Sequence, residues 1–269
     1  MGWGEEPSLA NRTFVVTGAA SGIGAETTAE LMRRGAYVIG VDRTRVDKAD
    51  EWRSVDLLER RSIADLVEDL PSGLNGLANI AGLPPSAPPA DVLKVNLRSL
   101  QILTELVIPK LADGASIVNL ASSAGNRWRE AIDQIIEFES VTWDEIEAFA
   151  ERHKLGDVGR SYFFSKEGLI VWTMKNRWTW IDRGIRMNAV SPGPVDTPIL
   201  PDFIATLGPR AERSLQATER PGKPSDIAPV VAFLLSDGSA WFRGSNLTPD
   251  GGLSSHMTLG ELGLADKPN

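Results

Sequence analysis

The chain has 269 residues, of which 42% are hydrophobic, enough for one large α/β domain or two small ones with a buried core. Its formal net charge of −8 disfavours binding to nucleic-acid phosphates and to anionic membranes. With no cysteine and only two histidines, disulfides and thiolate nucleophiles are excluded, and a zinc site is not expected.

The N-terminal segment is acidic and carries no apolar stretch before Thr13, so no signal peptide is predicted. Gly2 follows the initial methionine, but Glu6 stands where an N-myristoylation signal needs Ser or Thr. No run of about 18 apolar residues occurs, so no transmembrane helix is expected. These observations predict a soluble, cytoplasmic protein.

Short apolar runs alternate along the chain with longer segments of helical periodicity, without internal repeats or linkers. Strands are predicted at residues 14–17, 36–41, 76–80, 116–120 and 185–190, and a helix follows the first strand through Met32. Continuous apolar strands separated by helices are typical of a parallel sheet that is covered on both faces. The sequence therefore predicts one doubly wound α/β domain of the Rossmann type over residues 1–269. Its ligand crevice should lie beyond the carboxyl ends of the strands.

A glycine-rich loop, residues 17–24, joins the first predicted strand to the first predicted helix. Gly18, Gly22 and Gly24 allow a tight turn and a close approach of the backbone to a ligand. The helix that follows offers unpaired N–H groups and a positive dipole end to a pyrophosphate. Because the loop lies between a strand and a helix, it predicts a dinucleotide site, with a structural turn as the alternative.

Asp42, at the end of the second predicted strand, favours NAD over NADP. A carboxylate about 20 residues after the glycine loop can accept both ribose hydroxyls of NAD, and it would repel the extra phosphate of NADP. Ser21, in place of a basic residue, favours the same cofactor, whereas Arg43 could bind that phosphate. The alternative for Asp42 is a solvated turn residue.

Tyr162 and Lys166 are predicted to lie one turn apart on one face of a helix. The pKa of an unperturbed phenol is near 10, and lowering it to about 7 takes roughly 4 kcal/mol. A nearby ammonium group and a cationic nicotinamide can lower this pKa because they favour the phenolate. The pair has little meaning alone, since chance surface pairs of Tyr and Lys are common.

Taken together, these segments resemble the short-chain dehydrogenase/reductase family over nearly the whole chain. The matches occur in the family's order, at residues 17–18, 22–24, 56–57, 79–82, 96, 122, 162, 166, 192–197 and 250–252. The resemblance implies that Tyr162 exchanges a proton with the substrate oxygen and that Ser122 hydrogen-bonds this oxygen. Lys166 would hold the nicotinamide ribose and tune Tyr162, and Asn96 would position Lys166 and a proton-relay water. Simpler alternatives are an N-cap role for Ser122 and packing inside a helix for Asn96.

The resemblance also implies an NAD site along the crevice. Asp56 would meet the adenine, Thr197 the carboxamide end, and Asn79, Ala81 and Gly82 would line the cleft. The complete candidate set for the cofactor is Gly18, Ser21, Gly22, Ile23, Gly24, Asp42, Asp56, Leu57, Asn79, Ala81, Gly82, Tyr162, Lys166, Val195 and Thr197. Ile80 stands where the family often has a second Asn, so its contact would be apolar or made by the backbone.

Residues 127–160 carry helical spacing and no strand pattern, which predicts one or two amphipathic helices. They separate Ser122 from Tyr162 by 162 − 122 = 40 positions, more than in most members of the family. A subgroup with coniferyl-alcohol and bacterial 3α-hydroxysteroid dehydrogenases has a comparable insertion, and this sequence resembles the coniferyl-alcohol type in particular. The insertion is expected to shape substrate access, subunit contacts or both in a homo-oligomer, a dimer or tetramer. The alternative is a surface decoration.

The expected activity is reversible hydride transfer between NAD and a small hydrophobic alcohol or ketone, with a coniferyl-type alcohol as first candidate and a 3α-hydroxysteroid as the alternative. Residues 199–220 are expected to form a substrate lid, although their apolar stripe could also be core packing: Ile199, Leu200, Phe203, Ile204 and Leu207. The rival from another class is a non-catalytic NAD sensor or scaffold, since fold alone does not exclude it. A hydrolase is not expected because no Gly-x-Ser-x-Gly elbow occurs.

Overall fold

The structure, a computed structural model, describes residues 8–264, and within them seven parallel strands form one sheet in the order β3-β2-β1-β4-β5-β6-β7. The strands are β1 (Thr13–Thr17), β2 (Tyr37–Asp42), β3 (Glu51–Ser54), β4 (Leu74–Asn79), β5 (Leu111–Leu120), β6 (Arg186–Val190) and β7 (Asn246–Leu247). The predicted doubly wound α/β fold is confirmed. The interpretations of Gly2 and Glu6 lie outside the described residues, and no helix within 8–264 is long and apolar enough to cross a membrane.

Helices cover both faces of the sheet. They are α1 (Gly22–Arg33), α2 (Arg60–Asp69), α3 (Pro89–Leu93), α4 (Ser99–Val107), α5 (Ile132–Glu139), α6 (Ile146–Arg152), α7 (Arg160–Lys175), α8 (Leu200–Leu207), α9 (Pro209–Gln216), α10 (Pro224–Leu235) and α11 (Leu253–Glu261). Successive side chains of a strand point to opposite faces, so Val15 joins the core under α2, α4 and α7, and Phe14 joins the core under α1 and α10. This arrangement explains why the central strands read as continuous apolar runs.

The chain passes from β1 to β2 and β3 in one direction and then returns to place β4 on the other side of β1. The strand order therefore reverses between β1 and β4. In open α/β sheets a crevice forms at such a switch point, beyond the carboxyl ends of the strands. The segments that follow β1, β4 and β5 meet at this edge, and they carry the candidate residues.

The segment 127–160 contains α5 and α6, which confirms the predicted helices. Ile146 and Phe149 are fully buried, and the ring of Phe149 lies 5.1 Å from that of Phe138 and 5.6 Å from that of Phe164 in α7. Ile136, by contrast, is 56% exposed. The apolar side chains of the insertion therefore find their partner surface on α3 and α7 of the same chain.

Candidate active site

A continuous crevice follows the carboxyl ends of β1, β4 and β5. One end is lined by the glycine loop and strand ends, and the other by Ser122, Tyr162 and Lys166. Ile23, Gly82 and Thr197 line both ends, so the two ends join. Fourteen of the fifteen candidate cofactor residues line this crevice: Gly18, Ser21, Gly22, Ile23, Gly24, Asp42, Asp56, Leu57, Ala81, Gly82, Tyr162, Lys166, Val195 and Thr197.

Close backbone approach requires glycine at two positions of the loop. Gly18 has a positive φ of +69°, and a Cβ there would lie 2.8 Å from the Cα of Ala81. A Cβ on Gly24 would lie 2.0 Å from the carbonyl oxygen of Gly18. No other residue fits at either position without moving the backbone. The loop thus forms a cradle of bare backbone at the N-terminus of α1, as a bound pyrophosphate requires.

Thr17 has a role that sequence reasoning missed. Its Oγ1 accepts hydrogen bonds from the amides of Ile80 at 2.9 Å and Ala81 at 3.1 Å, and it is fully buried. The hydroxyl therefore ties the segment after β4 to the end of β1, directly below the glycine loop. The sequence feature that could have indicated this role is the position of Thr17 immediately before Gly18.

Asp42 is fixed by backbone amides and still lines the crevice. Its Oδ2 accepts a hydrogen bond from the amide of Ala20 at 3.1 Å, and its Oδ1 accepts one from the amide of Thr44 at 3.0 Å. Asp56 is held similarly, since its Oδ1 accepts from the amide of Leu58 at 2.9 Å. Both carboxylates are thereby oriented at one end of the crevice, next to Arg43.

Asn79 does not line the cleft, in contrast to the expectation. Its side chain is fully buried, and its Nδ2 donates to Thr104 Oγ1 and to Asn119 Oδ1, both at 2.9 Å. Asn119 Nδ2 in turn donates to Thr173 Oγ1 at 2.9 Å. This network joins β4, β5, α4 and α7 beneath the crevice, because the buried side-chain N–H groups need acceptors there. Asn79 therefore supports the site from below.

The reactive candidates converge at the other end. Tyr162 is 7% exposed, and its phenol shares a hydrogen bond with the side chain of Ser122. Lys166 Nζ lies 5.5 Å from the centroid of the Tyr162 ring and donates to the carbonyl of Leu120 at 2.7 Å. Ser122 Oγ also accepts from the amide of Ala124 at 3.1 Å, so Ser122 is an N-cap and a neighbour of Tyr162 at once.

Burial shifts the titration of both ionisable groups. It raises the pKa of Tyr162 to about 12, although the hydrogen bond with Ser122 lowers this pKa in part. It lowers the pKa of Lys166 to about 8. Removal from water disfavours the charged form of each group, the phenolate and the ammonium. At neutral pH the phenol is thus protonated and the amine is mostly charged.

Asn96 lies behind this group, in a π-helical turn over Lys94–Arg98. Its Oδ1 accepts from the amide of Leu83 at 2.6 Å, and its Nδ2 donates to the carbonyl of Leu83 at 3.0 Å. A Cβ on Gly82 would lie 3.3 Å from Asn96 Oδ1 and 3.8 Å from Lys166 Nζ. The side chain therefore pins the segment after β4 beside Lys166. Such π-helical turns occur often at functional sites.

Two helices, α8 and α9, cover the pocket around Tyr162. Ile199, Leu200, Phe203 and Leu207 line this pocket, while Ile204 is 37% exposed. The Phe203 ring meets the Tyr162 ring edge to face, with 4.7 Å between centroids. No residue of α8 is buried, so this stripe is not part of the core. It gives the pocket an apolar wall.

Comparisons with known proteins agree with this geometry. Residues 12–132 match the family described as short chain dehydrogenase, and residues 148–254 match that described as enoyl-(acyl carrier protein) reductase. The chain is 39% identical to coniferyl-alcohol dehydrogenase of Pseudomonas sp. (strain HR199 / DSM 7063), over 92% of this chain and 98% of that protein. It is 28% identical to 3-alpha-hydroxysteroid dehydrogenase/carbonyl reductase of Comamonas testosteroni, over 91% of this chain and 97% of that protein.

A solved structure adds support for the fold and the nucleotide crevice. The 3-alpha-hydroxysteroid dehydrogenase from Pseudomonas sp. B-0831, complexed with NADH, matches with a TM-score of 0.79 and 27% identity. The match covers 91% of this chain and 98% of that chain.

Proposed function

Since the chain belongs to the short-chain dehydrogenase/reductase family, we propose that it is an NAD-dependent alcohol dehydrogenase acting reversibly on a hydrophobic alcohol or its carbonyl. The observation that carries this proposal is the convergence of Ser122, Tyr162 and Lys166 in an apolar pocket continuous with the glycine cradle. A protein that only senses NAD has no need of this set.

The crevice fits NAD on two grounds. Gly18 and Gly24 let the backbone cradle pack tightly on itself and on the segment after β4. The cradle thereby places the N-terminus of α1, with its unpaired N–H groups, at the crevice, which suits a pyrophosphate. Asp42, oriented by two amides, is suited to accept the ribose hydroxyls and to repel a 2′-phosphate. When bound, the nicotinamide supplies the hydride chemistry.

The protein's own residues transfer one proton to or from the substrate oxygen. Tyr162, protonated at neutral pH, donates a proton to the carbonyl oxygen in reduction and accepts it from the alcohol in oxidation. Ser122, hydrogen-bonded to the phenol, holds the substrate oxygen beside it. The charged Lys166 favours the phenolate and so makes Tyr162 a better base in the oxidative direction. Asn96 positions Lys166 through the segment it pins.

For the substrate, an aromatic alcohol of the coniferyl type is the first candidate. Its support is the apolar wall formed by Phe203 and its neighbours, together with the 39% identity to a coniferyl-alcohol dehydrogenase. A 3α-hydroxysteroid or its ketone is the second candidate, supported by the 28% identical relative of that name. Both classes present a ring system to an apolar pocket.

The test is Tyr162→Phe, assayed for NADH formation across cinnamyl, steroid and small cyclic alcohols with NAD and with NADP. The change removes only the titrating hydroxyl, and positioned proton transfer is worth about 10² to 10⁴ in rate. We expect turnover to fall by that factor while calorimetry still shows binding of NAD. Retention of more than about a tenth of the turnover would assign the proton transfer to another group. No turnover by the wild-type chain with any alcohol would favour the alternative of a non-catalytic NAD sensor.

A further inference from the structure

The apolar pocket beside Tyr162 is lined by an arginine, Arg210. Among the described residues that line this pocket, only Lys166 and Arg210 are charged, and none is acidic. Lys166 already donates to the carbonyl of Leu120. Arg210, in the first turn of α9, is therefore the charged group available to a molecule in the pocket.

The nearby acidic side chains are engaged with other arginines. Glu167 pairs with Arg160 at 2.7 Å and Glu130 pairs with Arg127 at 2.7 Å, and within residues 8–264 no carboxylate forms a salt bridge with Arg210. Partial burial lowers the pKa of Arg210, and the positive Arg127 and Arg160 lower it further, while the carboxylate of Glu167 raises it in part. An arginine that is partly withdrawn from water, in a positive surrounding, gains most from an anion placed against it.

Arg210 is linked to the reacting centre through the ring of Phe163. The guanidinium carbon of Arg210 lies 4.2 Å above the ring of Phe163, whose centroid is 6.4 Å from that of Tyr162. Arg210 and Tyr162 line the same pocket, so one molecule can place its hydroxyl at Tyr162 and an anionic group at Arg210. A guanidinium fork binds a carboxylate through two parallel hydrogen bonds. Arg210 does not line the end of the crevice that holds the glycine loop, so it is placed for the substrate and not for the pyrophosphate.

We propose that Arg210 binds an anionic group of the substrate, so that the preferred substrates are hydroxy acids with a ring between the reacting hydroxyl and a carboxylate. This inference rests on the proposed dehydrogenase function, and among its hydrophobic alcohols it ranks ring-bearing hydroxy acids above the neutral coniferyl-type and steroid alcohols. The apolar wall contacts the ring, and Arg210 selects the charge at its far side.

The first experiment compares 4-(hydroxymethyl)benzoate with its methyl ester, which carries the same alcohol without the charge. We expect the wild-type protein to oxidise the acid with a kcat/KM about 10- to 100-fold higher, the range for charge-assisted hydrogen bonds. Arg210→Met should remove this preference and leave kcat/KM for the ester within about threefold. Arg210→Lys should retain part of it, because the charge remains and the fork is lost.

Arg213→Met is the matched control, since it removes the same charge from the same helix at a residue that does not line the pocket. It should keep the preference for the acid. Equal kcat/KM for acid and ester in the wild-type protein would overturn the inference, as would an equal loss in both arginine variants.

A binding experiment tests this inference independently of the proposed function. Benzoate and methyl benzoate are titrated into the protein with NADH, which requires no turnover. Tighter binding of benzoate that weakens about 10-fold or more in Arg210→Met supports the anion site even if no alcohol is oxidised. Benzoate that binds no more tightly than its ester overturns the anion site, even if neutral alcohols are oxidised and the dehydrogenase function stands.

Discussion

At the residue scale, Tyr162 and Lys166 titrate on opposite sides of their usual values for one reason, removal from water. Burial raises the pKa of the phenol to about 12 and lowers that of the amine to about 8. Both groups therefore carry their protons at neutral pH, which suits donation of a proton to a carbonyl. An oxidised, cationic cofactor would lower the pKa of the phenol again, which suits the reverse direction.

This assignment gives a pH dependence for carbonyl reduction. Loss of the Lys166 charge, and later of the Tyr162 proton, works against reduction, so kcat/KM should decline as pH rises through about 8. This decline is measured as kcat/KM for aldehyde reduction across a range of pH at saturating NADH. A rate that stays level up to about pH 10 would mean that Lys166 keeps its usual pKa in the working enzyme.

The choice between NAD and NADP is predicted to depend on one carboxylate, that of Asp42. Asp42→Ser removes a group that repels a 2′-phosphate together with two acceptors for the ribose, so binding of NAD should weaken and binding of NADP should improve. Dissociation constants for both cofactors, measured for wild type and variant, test this. Asp42→Asn keeps the size of the side chain, removes the charge and replaces one acceptor oxygen by an NH2 donor. A wild-type protein that prefers NADP would indicate that Arg43 dominates.

Most candidate site residues could be predicted because each belongs to a motif with a local cause, such as bare backbone at Gly18 and Gly24. Asn79 and Thr17 show where prediction from the sequence failed. Both belong to matching motifs, but their buried hydrogen bonds join segments more than 20 positions apart along the chain. Partners at such separations depend on the assembled sheet, so the sequence pattern did not tell a lining residue from a supporting one.

At the element scale, the same reasoning explains which strands could be predicted. The five central strands are buried on both faces and form apolar runs, whereas β3 (Glu51–Ser54) and β7 (Asn246–Leu247) are the edge strands of the sheet. The residues of β3 are partly or fully exposed, and β7 has only two residues. Edge strands need no apolar run, because one side of each meets solvent.

Arg98 anchors the insertion to the π-helical turn that contains Asn96. Its Nη2 donates to the carbonyl of Phe138 at 2.7 Å and to that of Val141 at 2.9 Å, at the end of α5. Its guanidinium carbon also lies 4.7 Å above the ring of Phe138. Since Asn96 lies in the same π-helical turn, the insertion supports the site through both α7 and this turn.

Arg98→Met should therefore destabilise the fold and disturb the site. Leaving buried acceptors unpaired costs about 1–3 kcal/mol each, so the free energy of unfolding in urea should fall by roughly 2 kcal/mol or more. Arg152→Met is the matched control on the same insertion, since its ion pair with Glu137 is exposed and should matter by less than about 1 kcal/mol. Equal losses of unfolding free energy in the two variants would show that Arg98 does not anchor the insertion.

At the scale of the whole molecule, the insertion buries most of its apolar side chains within its own chain, and large apolar groups remain exposed elsewhere. Trp241 is 97% exposed, just before the edge strand β7. The C-terminal helix and the turn after it add Met257, Leu259, Leu262 and Leu264, which are 43–65% exposed. Exposed aromatic residues are typical of protein interfaces, so this end of the sheet is the stronger candidate for subunit contacts.

The homo-oligomer predicted from the sequence is therefore expected to depend on Trp241 more than on the insertion. Trp241→Glu places a charge in the contact and should lower the mass in solution, measured by light scattering at a fixed concentration. Ile136→Glu, on the exposed face of α5, is the control and should leave the mass unchanged. Replacing the whole of 127–160 is a poorer experiment, because Phe149 and Ile146 belong to the core and their loss would uncover α7. A lower mass for Ile136→Glu alone would place the contact on the insertion, and a monomeric wild-type protein would refute the oligomer.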